Sequence, residues 1–246
     1  ALIPLAFDLA DPDTPRLVAT SPMTDGRPVP LPGNLDPMVL DGNRLYGILD
    51  WDRQTTVDEQ TMLQLVVLAR SSDLAPWAVA GTLDLPTYTA VHFGQWAGID
   101  MVVDGERAYV AAYSDARGPI VAIVDVADAA APRLAGRIEL GEANVGTAGL
   151  AVAGAYLYLA DWSNDTTTAL QVLDVADPAA PRRVAEVETV GEIMDIVIAD
   201  GRAFVIGCGG LQVFDLADPA RPRPLGSPVP FPPAGVPPTP GPGPTP

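Results

Sequence analysis

The sequence predicts an all-β fold built from repeated four-stranded antiparallel units, the strand content of β-propeller blades. Three observations predict it. A strand-and-turn segment recurs at intervals of roughly 40–60 residues, the period of propellers and other repeat arrays. A hairpin pattern precedes four of its copies. No segment carries sustained helical periodicity with caps.

The strand-and-turn copies read LAFDLADPDTPRL at 5–17, VAIVDVADAAAPRL at 121–134, LQVLDVADPAAPRRV at 170–184 and LQVFDLADPARPRPL at 211–225. A decayed copy, LQLVVLARSSDLAPWAV at 63–79, keeps the strand and loses the Asp-Pro turn. Asp8, Asp125, Asp174 and Asp215 stand at matching positions. An Asp there hydrogen-bonds its own downstream backbone, and Pro presets the turn. A second Pro (Pro132, Pro181, Pro222) opens the short run that follows. Proline cannot donate to a ladder, so that run is expected as an edge strand.

The preceding hairpins read DPMVLDGNRLYGI at 36–48, DMVVDGERAYVAA at 100–112, GLAVAGAYLYLA at 149–160 and DIVIADGRAFVIG at 195–207. Each is a β-branched run, a Gly-containing turn and a second apolar run. Val and Ile suit a pleated, buried surface, and the Gly supplies the positive φ of the turn. Hairpin plus strand-and-turn makes about four strands per unit.

These segments resemble the LVIVD repeat family, most clearly in IVDV at 123–126 and VLDV at 172–175. The resemblance covers residues 1 to about 226. It implies a β-propeller, an extracytoplasmic, often surface-associated setting, and no defined chemistry. The chain opens at the third strand of a unit, giving about four full blades plus a partial first blade. Two readings stay open: upstream blades belong to the protein beyond this chain, or the ring is small, incomplete and has a reduced first blade. Residues 1–226 are expected as the repeat domain. Residues 227–246, SPVPFPPAGVPPTPGPGPTP, are expected as an extended Pro-rich linker or stalk.

Composition narrows the function classes. The net charge is −17 and all 14 basic residues are Arg. Such an acidic chain repels nucleic-acid backbones, so no nucleic-acid partner is expected. The single Cys, Cys208, permits no intrachain disulfide, and no apolar run is long enough to span a bilayer. A lone His92 and a Cys208 set in GCGG have no visible catalytic partners, so no catalytic residue is assigned.

The acidic positions remain. Asp161, Ser163 and Asp165 alternate oxygen donors in one loop, a pattern Ca²⁺ accepts, although no EF-hand Gly or distal Glu accompanies them. A solvated turn is the competing reading. Asp36, Asp100 and Asp195 sit near the first strand of their units and are candidates to line a central channel or to cap strand starts. Counted from the turn Gly, Asp100 is one residue out of step, and a one-residue slip reverses the face. Trp51 and Trp162 follow Asp in two loops and are candidates for a binding surface or for packing between blades. The expected function is a non-enzymatic extracytoplasmic scaffold binding a protein or glycan at the cell surface, with no cofactor apart from the Ca²⁺ candidate. The alternative is a metal-assisted hydrolase or lactonase of propeller type, with carboxylates near the channel.

Overall fold

In the computed structural model the described residues are 5–8, 16–20, 23–24, 27–28, 35–50, 63–72, 77–85, 92–93, 96–97, 99–114, 118–140, 145–163 and 169–231. Among them there are strands and turns and no helix. The chain opens with two short antiparallel pairs, β1 (Leu5–Asp8) with β2 (Arg16–Thr20) and β3 (Met23–Thr24) with β4 (Arg27–Pro28). The first blade follows: β5 (Leu35–Asp41), β6 (Arg44–Asp50), β7 (Leu63–Ala69) and β8 (Ala78–Leu85). After the short pair β9 (His92–Phe93) and β10 (Trp96–Ala97) comes the second blade: β11 (Asp100–Asp104), β12 (Arg107–Ser114), β13 (Gly118–Asp125) and β14 (Arg133–Glu139). The third holds β15 (Val145–Ala153), β16 (Tyr156–Ser163), β17 (Ala169–Asp174) and β18 (Arg182–Glu188). The fourth holds β19 (Ile193–Ala199), β20 (Arg202–Gly207), β21 (Gly210–Asp215) and β22 (Arg223–Pro224). Each blade is a meander in chain order, with every neighbouring pair antiparallel.

The repeat copies fall on equivalent ladder positions. β7–β8, β13–β14 and β17–β18 all carry a bulge at one place, after Val67, Ile123 and Val172. β1–β2 carries it after Ala6, with Asp8 opposite Arg16 as Asp125 is opposite Arg133. Residues 5–20 therefore contain the outer two strands of a blade. The decayed copy keeps its place too: Ala69 stands where the other blades have Asp, and the Arg70 N–H donates to the Asn43 carbonyl. Val126, Val175 and Leu216 make the same closing bond to Glu106, Ala155 and Gly201.

Blades stack side by side through their first strands, β5 beside β11, β11 beside β15 and β15 beside β19. A band of alternating residues from one blade meets the opposite face of the next. Tyr46, Ile48, Leu65 and Val67 of the first blade bury against Met101, Ala108, Val124 and Val126 of the second. Tyr109, Ala111, Val121 and Ile123 of the second meet Leu150, Leu157, Leu173 and Val175 of the third. Tyr158, Ala160, Leu170 and Val172 of the third meet Ile196, Val205, Phe214 and Leu216 of the fourth. A large side chain buried this way contributes about 1.5–3 kcal/mol. The opposite face of the first blade holds Leu45, Leu49, Val66, Leu68 and Trp77, also buried. The four sheets form an open array, not a closed ring.

The outermost strand of the fourth blade is split. Gly226 takes φ +76 after the short β22, and Val229 then exchanges both backbone hydrogen bonds with Leu211. Pro228 and Pro230 flank Val229 and carry no N–H of their own. The ladder thus reaches into the Pro-rich stretch, and residues 232–246 lie outside the described residues.

Candidate functional site

The two ends of the blades differ. At one end sit the turns joining first to second strands, 42–43, 105–106, 154–155 and 200–201, and those joining third to fourth, 126–132, 175–181 and 216–222. These are uniform. Asp125, Asp174 and Asp215 accept the N–H of Ala127, Ala176 and Ala217 at 3.0, 3.1 and 3.0 Å. The next Asp of each turn, Asp128, Asp177 or Asp218, accepts from Ala130, Ala179 or Ala220. Asp125 and Asp174 also accept from Arg133 and Arg182 at 2.6 Å. The hydrogen bond from Arg133, then that from Ala127, holds the Asp125 carboxyl below the usual range.

The other end varies. Second and third strands are joined by 51–62, 115–117, 164–168 and 208–209, so the connector length changes from blade to blade. Trp51 and Asp165 belong to these connectors and lie outside the described residues. Asp161, Trp162 and Ser163 end β16 on the same side, and their side chains lie outside the described residues, as does that of His92. Cys208 is exposed in the short 208–209 turn, its thiol 3.8 Å from Glu192 Oε2.

The inner strands carry the remaining carboxylates. Asp100 pairs with Ala111 and Asp195 with Ile206, which are equivalent ladder positions. The out-of-step count from the glycine is therefore corrected. The glycine moves within the turn, from its first position in Gly42, Gly105 and Gly154 to its second in Gly201, where Asp200 takes φ 50. The third blade has Gly149 at the equivalent place, opposite Ala160. Asp36 falls in the irregular stretch between the Leu35–Leu49 and Met38–Gly47 pairs, and its side chain lies outside the described residues.

Asp100 Oδ1 accepts the N–H of Met101 at 2.8 Å, and Asp195 Oδ1 accepts that of Ile196 at 2.8 Å. Asp100 Oδ2 reaches across the blade boundary to the N–H of Leu150 at 2.6 Å. Gly149 has no carboxylate to occupy that N–H, which leaves it to the neighbour. Burial pushes the Asp100 carboxyl up to about 6; the two N–H groups oppose this and the Asp195 charge adds to it. Asp195 itself is exposed. Among the described residues no three His, Cys, Asp or Glu side chains converge as a metal site.

Three interblade devices were not anticipated from sequence. Arg44 Nη1 donates to the Val126 carbonyl at 2.7 Å, and Arg107 Nη1 to that of Val175 at 3.1 Å. The Tyr158 hydroxyl donates to the Pro219 carbonyl at 2.8 Å, and burial pushes its pKa up to about 12. Gly81 and Gly136 lie against the backbone carbonyls of Ala129 and Pro178 in the next blade's turn. The arginines had a readable signal, since Arg follows the hairpin turn in DGNR, DGER and DGR.

The family model of the LVIVD repeat matches residues 146–189, the third blade almost from end to end. The chain carries an LVIVD repeat. The other three blades are four-stranded meanders of the same strand order. A search of curated proteins finds no match. Among solved structures, the periplasmic gluconolactonase PpgL of Pseudomonas aeruginosa is similar in fold, with a TM-score of 0.57 and 15% identity. The likeness covers 79% of this chain and 56% of that enzyme, so the chain spans about half the length of the propeller-like protein it matches. A functionally unknown protein from Desulfotomaculum acetoxidans aligns with a TM-score of 0.44 and 10% identity, over 80% of this chain and 71% of that one. No helix among the described residues is long and apolar enough to cross a membrane.

Proposed function

We propose that this LVIVD-repeat protein is a non-enzymatic extracytoplasmic scaffold that binds a protein or glycan through the variable end of its blades. One observation carries the reading: connector length at that end runs from two to twelve residues, while at the opposite end the second, third and fourth blades repeat the same Asp turn. Recognition in repeat proteins resides in loops held by a rigid scaffold. Trp51, Trp162 and the Asp161, Ser163 and Asp165 group belong to the variable end, as contact residues and as a Ca²⁺ candidate respectively. The inner carboxylate Asp100 is engaged by two backbone N–H groups and serves the blade boundary. The Pro-rich stretch beyond the Val229 pairing serves as the stalk.

The test replaces 164–168 with a Gly-Ser stretch and measures binding to a glycan array and to intact bacterial cells. Binding should fall at least tenfold with the melting temperature unchanged. A Asp128→Ala and Asp177→Ala pair should do the reverse. Binding untouched by replacement of 164–168 and of 51–62 would remove the reading.

The fold likeness to a gluconolactonase and the raised pKa of Asp100 favour a second reading, a propeller-type lactonase with metal-assisted hydrolysis. Hydrolysis of glucono-δ-lactone above the spontaneous rate, stimulated by a divalent cation and lost in Asp100→Asn, would establish it instead.

A further inference from the structure

The outermost strand of the fourth blade breaks because of one residue. In the third blade Arg183 lies opposite Leu173 and Val187 opposite Leu170. The fourth blade starts in the same register, with Pro224 opposite Phe214. An unbroken strand would then bring Pro228 opposite Leu211, the counterpart of Leu170. Leu211 exchanges both backbone hydrogen bonds with its partner, and proline has no N–H to give. The chain therefore takes in an extra residue: Gly226 turns at φ +76, and Val229 arrives where Pro228 would have stood.

Residues 225–231 thus form a strap in place of a strand. β18 runs seven residues and lays Val184, Ala185 and Val187 against the core between the third and fourth blades. β22 runs two. Beyond it Leu225, Val229 and Phe231 are 45%, 61% and 56% exposed. The strap is held by backbone, through the Leu225 N–H on the Val213 carbonyl at 2.7 Å and the Val229–Leu211 exchange at 2.8 and 2.9 Å. Its far end closes on a turn. Gly210, at φ +109, lies against the Val229 carbonyl, and Gly209 lies against that of Val190. A side chain at either place would strike backbone. The 208–210 turn is therefore clasped between the strap and the 190–192 segment, where the Glu192 carbonyl accepts the Cys208 N–H at 2.8 Å.

We propose that residues 225–231 are a releasable strap, which opens about Gly226 while the four blades stay folded and so loosens the 208–210 turn at the variable end of the fourth blade. Few apolar contacts and exposed backbone bonds let a segment open locally, well below the free energy of global unfolding. A side chain at Gly226 would meet nothing within 4 Å, so the hinge is unobstructed. The strap leads directly into the Pro-rich stretch, and a load on that stretch acts on the Val229 pairing. This release does not depend on what the variable end binds.

The experiment follows hydrogen exchange of single amides in the full chain by NMR, corrected for intrinsic rates, with Leu170 as the reference for a packed fourth strand. Leu211 should exchange at least about tenfold faster than Leu170; equal rates would overturn the proposal. Val229→Pro removes the donor of the strap. It should leave Leu211 unprotected and speed Cys208 several-fold, with the melting temperature unchanged. A fall in melting temperature would show the strap to be part of the global fold, and Leu211 freed with Cys208 unmoved would show that the strap does not hold the turn; either result would overturn the proposal. Pro228→Val supplies the missing N–H and should slow Leu211 to the range of Leu170, whereas an unchanged rate would remove the proline as the cause of the break.

Discussion

One carboxylate in the outer turn of the second blade and one in that of the third perform two tasks each. Asp174 Oδ1 takes the Ala176 N–H while Oδ2 takes the Arg182 guanidinium. Replacing it with Ala strips both, and because the turn is exposed the loss is about 1 kcal/mol. Asp174→Ala is expected to lower the urea midpoint with an unchanged m-value, and Asp174→Asn, which keeps one acceptor, should lose less. Asp100 acts with pH in the direction opposite to Asp125, whose carboxyl the Arg133 hydrogen bond holds low. Its folded pKa, raised from 3.8 to about 6, means that the folded state holds the proton more tightly than the unfolded chain. Its contribution is therefore fully present below about pH 4 and is lost as the pH rises through 6. The shift corresponds to an upper bound of about 3 kcal/mol. Melting temperatures from pH 4 to 7 should show a downward component in the wild type that Asp100→Asn lacks. Equal slopes in the two proteins would show that Asp100 does not titrate in this window.

In the first and second blades the fourth strand is shaped by the turn of the blade beyond it. A Cβ on Gly136 would overlap the Pro178 carbonyl, a backbone atom held by its own turn. Neither side can yield cheaply, so Gly136→Ala should cost about 1–3 kcal/mol, read by chemical denaturation. The third blade has Ala185 at the equivalent rung, opposite Val172 as Gly136 is opposite Ile123. Ala185→Gly is expected to cost less than 1 kcal/mol, the ordinary backbone effect. The edge of the fourth blade carries a different device. Val229 supplies the N–H that pairs with Leu211, and the prolines on either side offer no donor to another chain. Such an edge resists strand addition.

At the scale of the whole molecule, stability is a sum of blades and of boundaries between neighbours. The Arg44 and Arg107 grips and the Asp100 clasp belong to the boundaries. Arg107→Ala should therefore lower hydrogen-exchange protection in both the second and third blades and leave the first little changed. Protection lost in the second blade alone would show that the arginine stabilises only its own hairpin. The same arrangement leaves the central carboxylates committed to backbone donors and the variable connectors free to differ, which is the division of labour behind the proposed binding role.

The sequence by itself determined the strands, the turns and their repetition. Asp and Gly at the turns, and β-branched residues between them, act within a few residues, so Asp125, Asp174, Asp215, Gly105 and Gly201 were readable one unit at a time. Even the decayed copy at 63–79 kept its rung because its apolar alternation survived the loss of Asp. Tertiary structure decided what lies between units. Nothing local shows that Asp100 reaches Leu150, fifty residues on, or that Gly136 makes room for Pro178. Counting from a glycine misplaced Asp100 because the turn shifts its glycine while the ladder keeps its register. Hydrogen bonds of a hairpin are set by neighbours in the chain; those of a blade boundary exist only once two sheets have met.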